Sequence, residues 1–376
     1  MRIGLETLSC DDSTGIGRIV RSLAREFSAQ GHEVHIVSTE PGRFDECTPV
    51  HRTIGFPGSK ALSKILFRVD EKRHLRSMNC DITYSFGVGR KADVVAAQSC
   101  HLAGKEILKS HALASWEGRN WGLYDAVSLG DEKALLTGET ARRVIACSNL
   151  VKNQIVKYYG KDPSLIEVVP NGVTLPTIDR SNEGMTSRKR RWGISGSEKV
   201  LLFVGNDFAR KGLRAVLEAL ARVNMRNVRL LVAGKGNPGP YRRLTDSLGI
   251  TGNVTFLGAV RNPEELFGAA DLFVFPALYE PFGMVVIEAM AAGVPVITSG
   301  TCGAVEGMTH GQHGIFLDDP SSVETIAGWI HTLLINQELS RELSDAGRRK
   351  AGEFSWDAVA ARTLEVLKRA SLERRK

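Results

Sequence analysis

At 376 residues, 43% hydrophobic and 24% charged, the chain has the make-up of a folded globular protein of about two domains, not of a disordered or fibrous one. No apolar run is long enough to cross a bilayer, and the opening MRIGLETLS leads into a helical pattern and does not read as a secretory signal. The formal charge of +7 suits an anionic substrate or an anionic membrane face, and without a nucleic-acid motif it does not make nucleic acid an expected partner.

Taken in order, 2–8 is a first apolar strand. CDDSTGIGR follows, and 16–28 places Ile19, Val20, Leu23 and Phe27 at helical spacing. A glycine-rich turn between strand and helix can cradle a phosphate, but Gly15-Ile16-Gly17 does not meet the GxGxxG dinucleotide pattern. Residues 33–38 form a second strand, 51–56 a third, and 59–76 a basic helix. Two short strands follow at 81–85 and 93–97. His101 comes just after the second of these. In open α/β sheets that strand end faces ligands, so His101 either points into a cleft or is structural. The segment 105–129, with Trp116, Trp121 and Tyr124, is either a helix pair covering an acceptor or domain core. A strand at 143–148, a helix at 149–159 and a strand at 166–169 complete the first half, closed by the PNGV turn. The stretch 176–191 lacks periodicity and is rich in Ser, Asn, Arg and Lys, so it reads as a linker.

The second half opens with a strand at 199–204 running into GNDFARKG and a helix at 213–223. Arg210 and Lys211, adjacent at a helix start beside Gly212, make either a diphosphate clamp or a basic surface turn. A strand at 229–233 ends in Gly234, another lies at 254–257, and 264–270 is a short helix. Then comes FVFPALYEPFGMVVIEAMAAGVPVITS, which reads as strand, loop, helix and strand, a parallel βαβ unit. Glu280, Phe282 and Gly283 stand where its helix begins, and free backbone N–H groups at such a terminus bind phosphate. Glu288 is about two turns further along, so both carboxylates can face one cleft and accept sugar hydroxyls. The alternative is a capping Glu and a solvated one. Two amphipathic helices, at 321–334 and 337–351, precede a last helix that starts at Phe354-Ser355-Trp356. The six cysteines show neither CxxC pairing nor metal-ligand spacing, which fits a reduced compartment. Basic residues cluster at 188–191 and at 368–376, and solvated surface accounts for them as well as a partner does.

The pair Glu280 and Glu288, standing as E-x7-E and followed by AMAAGVPVITS, resembles the signature of the retaining GT-B glycosyltransferases of family 4. The resemblance covers nearly the whole chain and is strongest over 200–314. It implies an α/β protein of two Rossmann-like doubly wound domains: 1–173 on the acceptor side, a linker at 174–195, a nucleotide-sugar domain at 196–353, and a helix at 354–376 crossing back. It implies that Glu280, His101 and Lys211 serve catalysis. Glu280 and His101 would contact the donor sugar, and Glu288 would hold the ribose. Gly205, Arg210 and Lys211 would grip the donor diphosphate. Gly15 and Gly17 would meet donor phosphate or acceptor, Gly234 the nucleoside, and Phe282 and Gly283 the donor at the helix start. GNDFARKG resembles the corresponding stretch of lipopolysaccharide core glucosyltransferases, which implies UDP-glucose as donor and a glycan or lipid-linked acceptor. Departures from the family pattern are Asn206 where many members have Arg, Thr174 after PNGV, and His313 for Asn.

The expected reaction is metal-independent, cofactor-free transfer of a hexose with retention, in the cytoplasm and with a peripheral contact to the inner membrane face. Other chemistries for the same fold are a nucleotide-sugar epimerase, a pyridoxal-phosphate phosphorylase, or a sugar-nucleotide-binding protein without catalysis.

Overall fold

A computed structural model describes residues 1–11, 14–40, 48–56, 58–110, 122–138, 141–260 and 263–375. Trp116 and Trp121 lie outside the described residues. Two compact units are present. The first is built mainly from the chain up to Gly172 together with 356–375, and the second mainly from 173–355.

In the first unit seven parallel strands stand in the order β3-β2-β1-β4-β5-β6-β7. They are β1 (Arg2–Ser9), β2 (Glu33–Glu40), β3 (Val50–Arg52), β4 (Ile82–Ser85), β5 (Val94–Ala97), β6 (Arg143–Ala146) and β7 (Ile166–Val168). Helices α1 (Gly15–Ala29), α2 (Lys60–Met78), α3 (His101–Ser110), α4 (Leu123–Thr137) and α5 (Asn149–Tyr159) alternate with them. Central strands with helices on both faces must be apolar on both faces, and Ile3, Leu5, Ile82, Val94 and Val144 are all fully buried. Helix α1 starts where Thr14 caps the Gly17 N–H, and it buries Ile19, Val20, Leu23 and Phe27, one face at helical spacing.

The second unit begins with α6 (Asn182–Arg191) and contains six parallel strands in the order β10-β9-β8-β11-β12-β13. They are β8 (Lys199–Val204), β9 (Val228–Ala233), β10 (Val254–Gly258), β11 (Leu272–Phe275), β12 (Val296–Ser299) and β13 (Ile315–Leu317). Its other helices are α7 (Leu213–Val223), α8 (Gly239–Ser247), α9 (Pro263–Ala269), α10 (Met284–Ala291), α11 (Val323–Ile335) and α12 (Gln337–Ala351). In each sheet the strand order reverses once, between β1 and β4 and between β8 and β11. Parallel α/β sheets bind ligands at that switch point, beyond the carboxyl ends of the strands.

The segments at Val173 and at Phe354–Ser355, where the chain enters and leaves the stretch 173–355 of the second unit, lie side by side. The Val173 N–H donates to the Phe354 carbonyl at 2.7 Å, and Val173 bridges Ser355 in parallel. A Cβ on Gly172 would come within 2.5 Å of the Trp356 ring, so the PNGV glycine makes room for that side chain. Helix α13 (Trp356–Arg375) then packs on α1 in the first unit, with Trp356 buried.

The stretch read as an aperiodic linker contains a capped helix. Ser181 caps α6 by accepting the Gly184 N–H, and α6 packs on α9. The cause is electrostatic where the sequence reading looked for an apolar stripe. Lys189 is buried and pairs with Asp271 at 2.8 Å, while Arg180 donates to the Phe267 and Ala270 carbonyls, both at 3.1 Å. The two basic clusters are likewise engaged internally. Arg188 donates to the Asp179 carbonyl and Arg191 pairs with Glu265. At the C-terminus Arg369 pairs with Glu167 and Arg374 with Asp93.

Asp271 also accepts the Val200 N–H at 2.7 Å, so it fixes the start of β8 as well as α6. Asp271→Ala leaves the buried Lys189 ammonium without its carboxylate. The expected loss is about 3–5 kcal/mol in the unfolding of the second unit, the range for breaking a buried pair from one side. Urea unfolding followed by hydrogen exchange in β8 measures it, and a change within about 0.5 kcal/mol, the range of ordinary surface substitutions, would contradict this role.

Candidate active site

The loops after β8 and β11 meet, because these two strands are neighbours: Leu272 aligns with Leu201 and Phe273 with Leu202. The first loop is GNDFARKG and the second holds Glu280. Lys211 Nζ lies 2.7 Å from Glu280 Oε2, and Arg210 Nη1 lies 3.6 Å from the same oxygen. All three side chains are largely buried, with Glu280 only 9% exposed. Lys211 also sits over the Phe275 ring, 4.6 Å from its centre, a cation–π contact. Arg210 is held on two further sides. Its Nε donates to Asp207 Oδ2 at 3.1 Å and its Nη1 to the Tyr279 carbonyl at 2.5 Å.

Backbone shape makes this packing fit. A Cβ on Gly205 would stand 2.3 Å from Lys211 Cδ, so only glycine leaves space for the lysine stem. Gly234 has φ +142°, and its Cβ would stand 1.7 Å from the Gly205 carbonyl oxygen. Both glycines are thus accounted for by contacts inside the unit. Gly283, at φ +96°, caps α10, and a Cβ there would crowd Cys302 Sγ and Glu280 Cγ. Phe282 is buried and packs edge-to-face on Phe354, with ring centres 6.5 Å apart. Its carbonyl accepts from Ala304 N–H at 2.6 Å and from the Cys302 thiol at 2.9 Å. Its ring therefore props the loop.

Charges at the site shift one another. Burial opposes the Glu280 charge, but Lys211 and Arg210 outweigh it and hold the carboxyl below its ordinary range. Burial draws Lys211 below the ordinary lysine value, against the pull of Glu280. Burial also opposes the Arg210 charge, yet Glu280 and Asp207 raise it on balance. Burial pushes the Cys302 thiol up to about 12, aided by Glu280, so this cysteine is a neutral hydrogen-bond donor here.

Glu288 lies on α10, in the same unit as Glu280 and partly buried. The other sequence-predicted residues belong to the first unit. Gly17 is buried in α1, where a Cβ would meet the Asp11 carbonyl at 2.1 Å, whereas a Cβ on Gly15 would meet nothing within 4 Å. His101 is the first residue of α3, and its N–H donates to the Glu132 carboxylate at 2.8 and 3.0 Å. Glu132 thereby takes the place a phosphate would take at that helix start, and it also accepts from Tyr159 Oη at 2.5 Å. Sequence reading missed Glu132, Asp207 and Cys302. Only Asp207 left a signal, its i,i+3 spacing to Arg210.

Two family descriptions match the chain: Glycosyltransferase Family 4 over residues 13–175 and Glycosyl transferases group 1 over residues 185–350. Together with the two parallel-sheet Rossmann-like units, they show that the chain belongs to the family 4 glycosyltransferases of GT-B fold. Individual relatives follow suit. It is 32% identical over 260 residues to an uncharacterized glycosyltransferase of Methanocaldococcus jannaschii, a match covering 67% of this chain and 66% of that protein. It is 32% identical over 217 residues to lipopolysaccharide glucosyltransferase WaaG of Escherichia coli, covering 56% of this chain and 58% of WaaG. The matched stretches thus span about two thirds of the first relative and little more than half of the second. Among solved structures, that of WaaG gives a TM-score of 0.81 at 22% identity, covering 97% of this chain and 99% of WaaG. HepE of Anabaena, in complex with UDP and glucose, gives 0.77 at 20% identity, covering 98% of this chain and 99% of HepE. At these identities the superpositions speak for the fold.

Because Glu280 titrates lower in the folded chain, its ionised form contributes stability above the ordinary glutamate value of 4.5, and that contribution is lost as pH falls through the folded value. Glu280→Gln should therefore lower the melting temperature near pH 7 and lower it much less near pH 3. Melting curves of both proteins at the two pH values decide this, and an equal penalty at each would contradict the pairing.

Proposed function

We propose that this chain is a retaining hexosyltransferase that moves glucose from UDP-glucose to a hydroxyl of a glycan or lipid-linked acceptor, in the assembly of lipopolysaccharide or another cell-surface glycan. The observation that carries the proposal is the Arg210–Lys211–Glu280 cluster at the β8/β11 switch point. Two buried cations beside the start of α10 suit a diphosphate, and the carboxylate between them suits a sugar held next to it. The name of WaaG and the UDP and glucose bound to HepE support the donor and the product class.

In this reading the donor diphosphate lies on Arg210, Lys211 and the amides that open α10, and Glu288 holds the ribose. As the glycosidic bond breaks, negative charge grows on the leaving diphosphate and positive charge at the anomeric carbon. Arg210 and Lys211 stabilise the first and Glu280 the second, an electrostatic contribution set in place before the reaction. The acceptor attacks from the face the diphosphate leaves, which gives retention without a protein nucleophile. Because the two cations and the helix start can neutralise the diphosphate, the proposal needs neither a divalent metal nor a cofactor. His101 would bind the donor sugar, and Gly15 and Gly17 would lie near donor phosphate or acceptor.

Calorimetry with UDP, GDP and ADP tests the donor, and tighter binding of GDP or ADP overturns UDP. The two glutamates should fail differently. Glu280→Gln should cut kcat with modest effect on UDP affinity, because its contact strengthens in the transition state. Glu288→Gln should weaken UDP binding by about 1.5–3 kcal/mol, the loss of charge-assisted bonds, seen as a higher KM for donor. The reverse pattern would reverse the assignment. Turnover unchanged in EDTA is expected, and its loss would overturn metal independence.

No helix among the described residues is long and apolar enough to cross a membrane. The proposed contact with an anionic inner membrane face is supported by the formal charge of +7. Sedimentation with anionic liposomes should show binding at low salt that weakens at high salt, and no binding at low salt would refute it.

A further inference from the structure

Besides its contacts with Arg210 and Lys211, the loop that carries Glu280 is tied to the rest of its unit by hydrogen bonds from the segment at 302–304 and by a ring contact. Gly303 N–H donates to the Glu280 carbonyl at 3.1 Å, and Ala304 N–H and the Cys302 thiol both donate to the Phe282 carbonyl. The ring contact is Phe282 on Phe354. Phe354 is no ordinary core residue. It is the last residue but one of the stretch 173–355 of the second unit, and its carbonyl accepts the N–H of Val173, the first residue of that stretch. Its backbone therefore holds the two ends of the stretch together while its side chain touches the loop. Between Phe354 and Glu280 stand only the Phe282 ring and two peptide links. Pro281 lies on that short path, and its ring fixes the backbone φ there, which leaves the path little freedom to absorb a displacement.

We propose that Phe354 is a positioning residue that couples the paired crossover segments to the Glu280 carboxylate through the Phe282 ring. A shift of the crossover pair moves the ring edge on which Phe282 rests, and so moves the carboxylate relative to the Lys211 ammonium. This rests on the reading of Glu280 as the group beside the donor sugar. Reacting groups held in productive geometry lose about 100-fold in rate for displacements near 1 Å, so a loosened loop is read in turnover.

The test has two arms. In the first, amide hydrogen exchange is followed across 279–286 in the protein alone. Phe354→Ala should speed exchange there and at Val173, and leave β8 and β9 unchanged. In the second, Phe354→Ala should lower kcat for hexose transfer about tenfold or more while keeping the UDP dissociation constant within about twofold, the split expected when only transition-state geometry is lost. Phe354→Tyr, which keeps the ring, should restore both. If Phe354→Ala does not fold, Phe354→Leu replaces it, with faster exchange at 279–286 and a smaller fall in kcat expected. A lowered melting temperature with unchanged exchange at 279–286 and unchanged kcat would overturn the proposal and leave Phe354 a packing residue. If the wild type neither binds UDP nor transfers hexose, the functional reading falls, and the exchange arm still decides whether Phe354 controls the loop.

Discussion

Everything at the candidate site depends on one buried ion pair. Lys211 and Glu280 come from loops that follow different strands, and the contact between them exists because β8 and β11 are neighbours across the sheet's reversal point. Removing two charges from water is costly, and a buried pair persists only where geometry and further hydrogen bonds compensate. Here Arg210 supplies a second cation, Asp207 and the Tyr279 carbonyl orient Arg210, and Phe275 faces the ammonium. The result is a compact cluster of alternating charge, two cations and two carboxylates. An incoming anion finds two oriented donors, and Glu280 is already next to them.

The glycines of the two loops serve this pair. Gly205 leaves space for the lysine stem, Gly234 lets β9 close against Gly205, and Gly283 turns the chain into α10 without crowding Glu280. Reading these positions as places where a ligand approaches the backbone captured that no side chain fits there, but the close neighbours are the chain's own atoms. Phe282 too has a neighbour inside the unit, its ring leaning on Phe354.

The fold was legible because its signals are local. Apolar strand runs, amphipathic helices and turn residues alternate along the chain, and that alternation implies two parallel sheets. The roles expected of Arg210, Lys211 and Glu280 came only from spacing and resemblance, since neither loop alone says that β8 and β11 are neighbours. What the sequence hid was long-range electrostatics. Helix α6 has no apolar stripe and looked like a linker, yet Lys189 reaches Asp271 across about eighty positions of chain, too far for any periodicity to register. Glu132 carries no local signal in the sequence, and only the fold sets it against the start of α3, where it accepts the His101 N–H.

The measurement that bears most directly on the central claim is a crystal structure of the protein with UDP bound. The account predicts the β-phosphate within hydrogen-bond distance of Lys211 Nζ and Arg210, the uracil-bearing ribose against Glu288, and the Glu280 carboxylate beside the free end of the diphosphate. A diphosphate seated elsewhere, with the Lys211–Glu280 pair intact and untouched, would contradict it.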